Sequence, residues 1–110
     1  MNNDLLNELN AASVTPLPDK VSAFVKNIEQ KTAKEVYGDE ARDPEQPVFV
    51  VTATNDDFGI SARATLPYYP ADKLKANSNT GRWKNKYGNI DIGVEVELVR
   101  KGRFYEVFFE

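Results

Sequence analysis

Val21, Phe24, Val25 and Ile28 stand at i, i+3, i+4 and i+7, a spacing that gathers side chains on one face of an α-helix. With Asp19 as a candidate cap, the pattern predicts a helix over residues 19–32 whose stripe packs on a sheet. Lys34 to Tyr37 either continue that helix or begin an extended piece, and Gly38 ends it. Leu5, Leu6 and Leu9 suggest a short helix over 4–12, capped by Asn3 and too short to be stable alone.

Beyond residue 47 the period changes to two. Val48 to Thr54 is rich in β-branched and aromatic residues, and Asn55-Asp56-Asp57-Phe58-Gly59 supplies turn chemistry. Ile60, Ala62, Ala64 and Leu66 then alternate with Ser61, Arg63 and Thr65, so 48–54 and 60–66 read as a hairpin. Ile90, Ile92, Val94, Val96 and Leu98 alternate in the same way over 90–99. Arg100 to Arg103 turn the chain into a last strand over 104–109, with Tyr105, Val107 and Phe109 assigned to the core and Phe104 and Phe108 left as an apolar outer stripe. Ala71 to Gly88 has no clean period and reads as a long loop, or a loop around a short helix near residues 72–75.

These elements predict an α+β fold: one amphipathic helix packed on a four-stranded antiparallel sheet built from two hairpins. Residues 1–110 form one domain in this reading, with a long connection over 67–89. The alternative is a small, partly open β-barrel of oligonucleotide-binding or SH3-like type.

Composition narrows the chemistry more than the fold. The 110 residues include no cysteine and no histidine. That removes disulfides, thiolate metal sites, histidine ligation and every triad that depends on imidazole. No catalytic residue, metal or cofactor is expected, and a Ser–Lys pair has only the sequence proximity of Ser78 and Lys75 behind it. No apolar run is long enough to span a bilayer, and the N-terminus lacks the basic region of a signal peptide, so an intracellular, cytoplasmic protein without membrane contact is expected.

The net charge of −3 is unevenly spread: residues 73–87 hold five cations and no acid, whereas residues 1–72 carry a net −6. Lys73, Lys75, Arg82, Lys84 and Lys86 surround Trp83, with Tyr87 behind and Tyr68 and Tyr69 upstream. Single-stranded nucleic acid needs cations for phosphates and flat rings for bases. These nine residues are therefore the candidate binding site. The competing reading makes Trp83 and Tyr87 anchors that tie the segment to the core, with the lysines only solvating it. Asp91, Glu95 and Glu97 share one face at strand period but lack a suitably placed lysine, so they read as the wet side of a strand rather than a metal site.

The run from Ser78 through Gly81, Arg82, Trp83, Lys84, Lys86, Tyr87, Gly88 and Gly93 to Val96 resembles a segment of small uncharacterised archaeal proteins, including proteins of archaeal viruses and plasmids. The resemblance covers less than a fifth of the chain and implies a mobile-element setting without implying an activity. The expected function is a non-enzymatic binding module for nucleic acid, single-stranded by preference. The alternative is a protein–protein module, such as a small inhibitor or viral accessory protein, that uses its acidic surface and the outer stripe of the last strand to hold a partner or a second copy of itself.

Overall fold

The computed structural model describes residues 3–14 and 16–109. Met1 and Asn2, which entered the reading of the N-terminus, lie outside the described residues. Five strands form one antiparallel sheet: β1 (Lys20–Thr32), β2 (Pro47–Asn55), β3 (Ile60–Pro67), β4 (Glu95–Lys101) and β5 (Phe104–Val107), in the order β3-β2-β1-β4-β5. Three α-helices accompany them: α1 (Asp4–Ala11), α2 (Ala33–Tyr37) and α3 (Asn79–Tyr87). The α+β class is as expected, but the sheet has five strands rather than four, and α2 and α3 stand where no separate helix was expected, while the helix expected over 19–32 is absent.

The largest correction is β1, which stands where a helix was expected over 19–32. Val21, Ala23 and Val25 point inward at a spacing of two. The register with β2 then shifts between Val25 and Asn27, skipping Lys26, and the next inward residue is Ile28. Alternation plus one bulged residue puts Val21, Val25 and Ile28 at the i, i+4, i+7 spacing of a helix. Phe24 completes the helical template but faces outward, 45% exposed. The bulge also has an architectural role. The first half of β1 pairs with β4 and the second half with β2, and Phe24 has a partner on each side. A bend at that point lets one strand serve both halves of a curled sheet.

β2 and β3 form the expected hairpin, with Ile60, Ala62, Ala64 and Leu66 all buried. The strand expected over 90–99 begins at Glu95: Asp91 to Val94 form a turn in which Ile92 is exposed, Ile90 packs against the core before it, and Val94, Val96 and Leu98 keep the inward phase. Tyr105, Val107 and Phe109 face the core as assigned, and Phe104 lies outside, 75% exposed.

Since each neighbour in the sheet is antiparallel, β3 and β5 run in the same direction, and these two edges approach each other. The sheet is therefore nearly closed, closer to the partly open barrel than to an open layer. The edges meet near their starts, where Phe58 to Arg63 and Arg103 to Tyr105 line one groove. Toward their ends α3 fills the gap. Asn79 and Thr80 donate to the carbonyls of Thr65 and Pro67 at the end of β3, and Tyr87 donates to the carbonyl of Phe108 beyond β5.

Residues 67–89, expected as a long loop, thus hold the helix that closes the sheet. The region near residues 72–75 contributes only a 3-10 turn, Ala71–Lys73. The short N-terminal helix exists, but none of its residues is buried.

Candidate functional site

The basic–aromatic segment folds as α3 because its ends carry caps. Ser78 accepts a hydrogen bond from the N–H of Gly81 at 3.0 Å and donates to the carbonyl of Lys75 at 2.7 Å. Gly88 ends the helix at φ 79°. Thr80, Trp83 and Tyr87 form the inward stripe. Trp83 is 0% exposed, its ring set edge-on to Tyr87 at 5.1 Å between centroids and tilted against Phe109 at 6.4 Å. Its indole N–H donates to the carbonyl of Asn89 at 3.0 Å. The sole tryptophan is therefore a core residue and offers no face for a base, which corrects its assignment as a stacking platform. The competing reading, an anchor, describes it.

Tyr87 is half-buried, and its hydroxyl is committed to the backbone. It donates to Phe108 and accepts from the N–H of Glu97 at 3.2 Å. Burial pushes its ionisation above the ordinary tyrosine range; the backbone hydrogen bond at Glu97 opposes that push, and the Glu97 carboxylate adds to it.

The five cations of the segment are exposed but do not converge. Lys73 and Lys75 line a cavity of about 680 Å³ with the half-buried Tyr69. Arg82 and Lys86, one helical turn apart, border a separate groove of about 720 Å³ between α3 and the β4–β5 hairpin. Lys84 lines neither. Tyr68 is exposed, with its carbonyl held by Gln46 at 2.9 Å.

Cations and exposed rings do meet elsewhere, at positions the sequence reading did not select. The groove at the β3–β5 seam, about 650 Å³, is lined by Arg63 and Arg103 together with Phe58 and Phe104, both exposed. Neither arginine forms an ion pair with any described residue. A second groove of about 400 Å³ crosses the outer face of β1, β2 and β3. The two share Thr52 and Arg63 and so adjoin; the pair is called the channel. Its floor carries hydroxyl and amide groups: Asn27, Thr52 and Arg63 are paired across three strands, and Val50 and Thr65 form the next row. At the α2 end the hydroxyl of Tyr37 reaches Thr65 at 3.4 Å. Two signals for this channel were present in the sequence. Arg63 is an outward-facing cation in a well-alternating strand, and Phe58 is an aromatic placed in a turn.

Glu29 and Glu35, with Lys31, also line the β1–β2–β3 part of the channel, whereas Asp91, Glu95 and Glu97 lie apart from it. Asp91 sits in the turn before β4, where its carboxylate accepts from the N–H of Ile92 at 2.8 Å, and so does not share the strand face of Glu95 and Glu97. Glu97 is 3.8 Å from the Lys20 ammonium. Among the described residues no three acidic side chains converge as a metal site, and no helix is long and apolar enough to cross a membrane. Comparison with protein-family models, with curated proteins and with solved structures finds no match.

Proposed function

We propose that the protein binds single-stranded nucleic acid along the channel that crosses β2 and β3 and ends at the β3–β5 seam. The observation that carries this reading is the meeting, in one channel, of two exposed phenylalanines and two arginines that form no ion pair with any described residue. Arg63 and Arg103 neutralise phosphates there, and Phe58 and Phe104 stack on bases. The row of Thr, Ser and Asn side chains hydrogen-bonds to sugar or base edges without demanding a particular sequence.

The fold favours the same surface. Five strands in the order β3-β2-β1-β4-β5, with a helix between β3 and β4 plugging one end, match a partly open barrel of the oligonucleotide-binding type. That type presents the face of its second and third strands to ligands. A fold hosts many functions, so the channel's residues rather than the topology support binding here. Lys73, Lys75 and Lys84 lie away from it and contribute to the field rather than to contact.

A fluorescent single-stranded oligonucleotide titrated at two salt concentrations tests the proposal. Stacking is worth about 1–3 kcal/mol per base, so Phe58→Ala and Phe104→Ala should each weaken binding by about 5- to 150-fold. The fluorescence of buried Trp83 should change little on binding. Absence of binding at low salt, or binding indifferent to both substitutions, would overturn the reading.

A further inference from the structure

The N-terminal helix and the groove beneath α3 are complementary, and neither belongs to the channel. α1 has eight residues and buries none of them; Leu5, Leu6 and Leu9 are 81%, 55% and 71% exposed. Helices this short are marginal in water without tertiary packing. The three leucines share one side of α1, and Asp4 and Glu8, one turn apart, flank them. Residues 3–19 contain three acids and no lysine or arginine.

The groove between α3 and the β4–β5 hairpin has the opposite character. Its floor is formed by the half-buried Val99, Phe108 and Phe109, and its rim by three cations, Arg82, Lys86 and Lys101, against one carboxylate, Glu106. The Lys86 ammonium stands 4.8 Å from the centre of the Phe108 ring, and that of Lys20 stands 5.6 Å from it. The groove shares no lining residue with the channel.

α1 does not lie on its own molecule's groove. The Pro16-Leu17-Pro18 spacer is stiff, and the hydroxyl of Tyr105 holds the carbonyl of Pro18 against the sheet. Leu17 lines the seam on the channel side, so the arm departs away from α3. The chain measures 66 Å along its longest axis. Its radius of gyration is 18.5 Å, against about 13 Å for a compact domain of this length.

We propose that the groove is the seat of α1 from a second copy of this chain, giving a two-fold dimer in which each copy lends its arm to the other. Leu5, Leu6 and Leu9 cover Phe108 and its neighbours, and Asp4 and Glu8 face Arg82, Lys86 and Lys101. Reciprocity follows from two-fold symmetry, the commonest arrangement of homo-oligomers.

Sedimentation equilibrium without nucleic acid reads the association, and the absence of native cysteine makes directed cross-linking specific. The wild type should be a dimer at micromolar concentration, and the Leu5→Glu/Leu9→Glu variant a folded monomer. When copies carrying Glu8→Cys are mixed with copies carrying Lys101→Cys, a short thiol cross-linker should join the two populations. A wild type that stays monomeric at several hundred micromolar would overturn the proposal. So would a dimer indifferent to the leucine substitutions, or mixed copies that fail to cross-link. None of these results bears on binding at Phe58 and Phe104.

Discussion

Trp83 and Phe24 show how little residue type alone says about position. Both are large aromatics in segments rich in lysine, yet Trp83 is wholly enclosed and Phe24 stands half in solvent. Trp83→Ala should therefore cost about 3–5 kcal/mol, the range for emptying a buried aromatic site. Phe24→Ala should cost about 1 kcal/mol or less, because outward positions tolerate truncation. Urea melts of the two variants check the contrast, and a large loss at Phe24 would restore the inward stripe that the helical spacing implied. Tyr87 adds a pH dependence. Its hydroxyl is held protonated by burial, so the folded state binds its proton more tightly than the unfolded chain does. This contribution is fully present below the ordinary tyrosine range and is lost as the pH rises through the elevated native value. Alkaline unfolding should be less steep in Tyr87→Phe, measured between neutral pH and the onset of base denaturation.

Signals at the elements' ends served no better than hydrophobic period where a cap was read from residue type alone: Asn3 makes no side-chain capping bond, and Asp19 precedes a strand. The hairpin of β2 and β3 was legible because β3 alternates cleanly, β2 is rich in β-branched residues, and a turn joins them between two prolines. β1 was not, since one bulged residue changes a period of two into an imitation of 3.6. The Thr32-x-x-Glu35 spacing, which the reading of a helix over 19–32 passed over, is a capping box that starts α2: Thr32 accepts from the N–H of Glu35 at 3.3 Å. α3 was hidden because its inward stripe includes a threonine and only two rings, although Ser78 and Gly88 mark both its ends. Within α3 the demanding position is Gly81. A Cβ there would lie 2.0 Å from the carbonyl oxygen of Lys75, a backbone atom. Alanine is the better helix former by about 1 kcal/mol, yet Gly81→Ala should destabilise the protein by about 1–3 kcal/mol, the usual cost of overpacking. A rise in melting temperature would show that the 75–76 segment yields freely.

At the scale of the whole molecule, charge is arranged so that position matters more than the net value of −3. The candidate site was legible only as a kind of chemistry, cations beside rings. Which cations meet which rings depends on the closing of the sheet, which sets Arg63 of β3 beside Arg103 and Phe104 from the other end of the chain. No local pattern carries that juxtaposition. Contact and field can be separated by salt. For single strands the slope of log K against log salt changes by about 0.7 for each phosphate neutralised. Arg63→Ala should flatten the slope by about that amount, and Arg103→Ala by a similar one. Lys84→Ala, on the exposed side of α3 and outside every groove described above, should lower affinity slightly at low salt and leave the slope nearly unchanged. If Lys84→Ala flattens the slope and Arg63→Ala does not, phosphates run along α3. The binding surface would then lie on the far side of the molecule from Phe58.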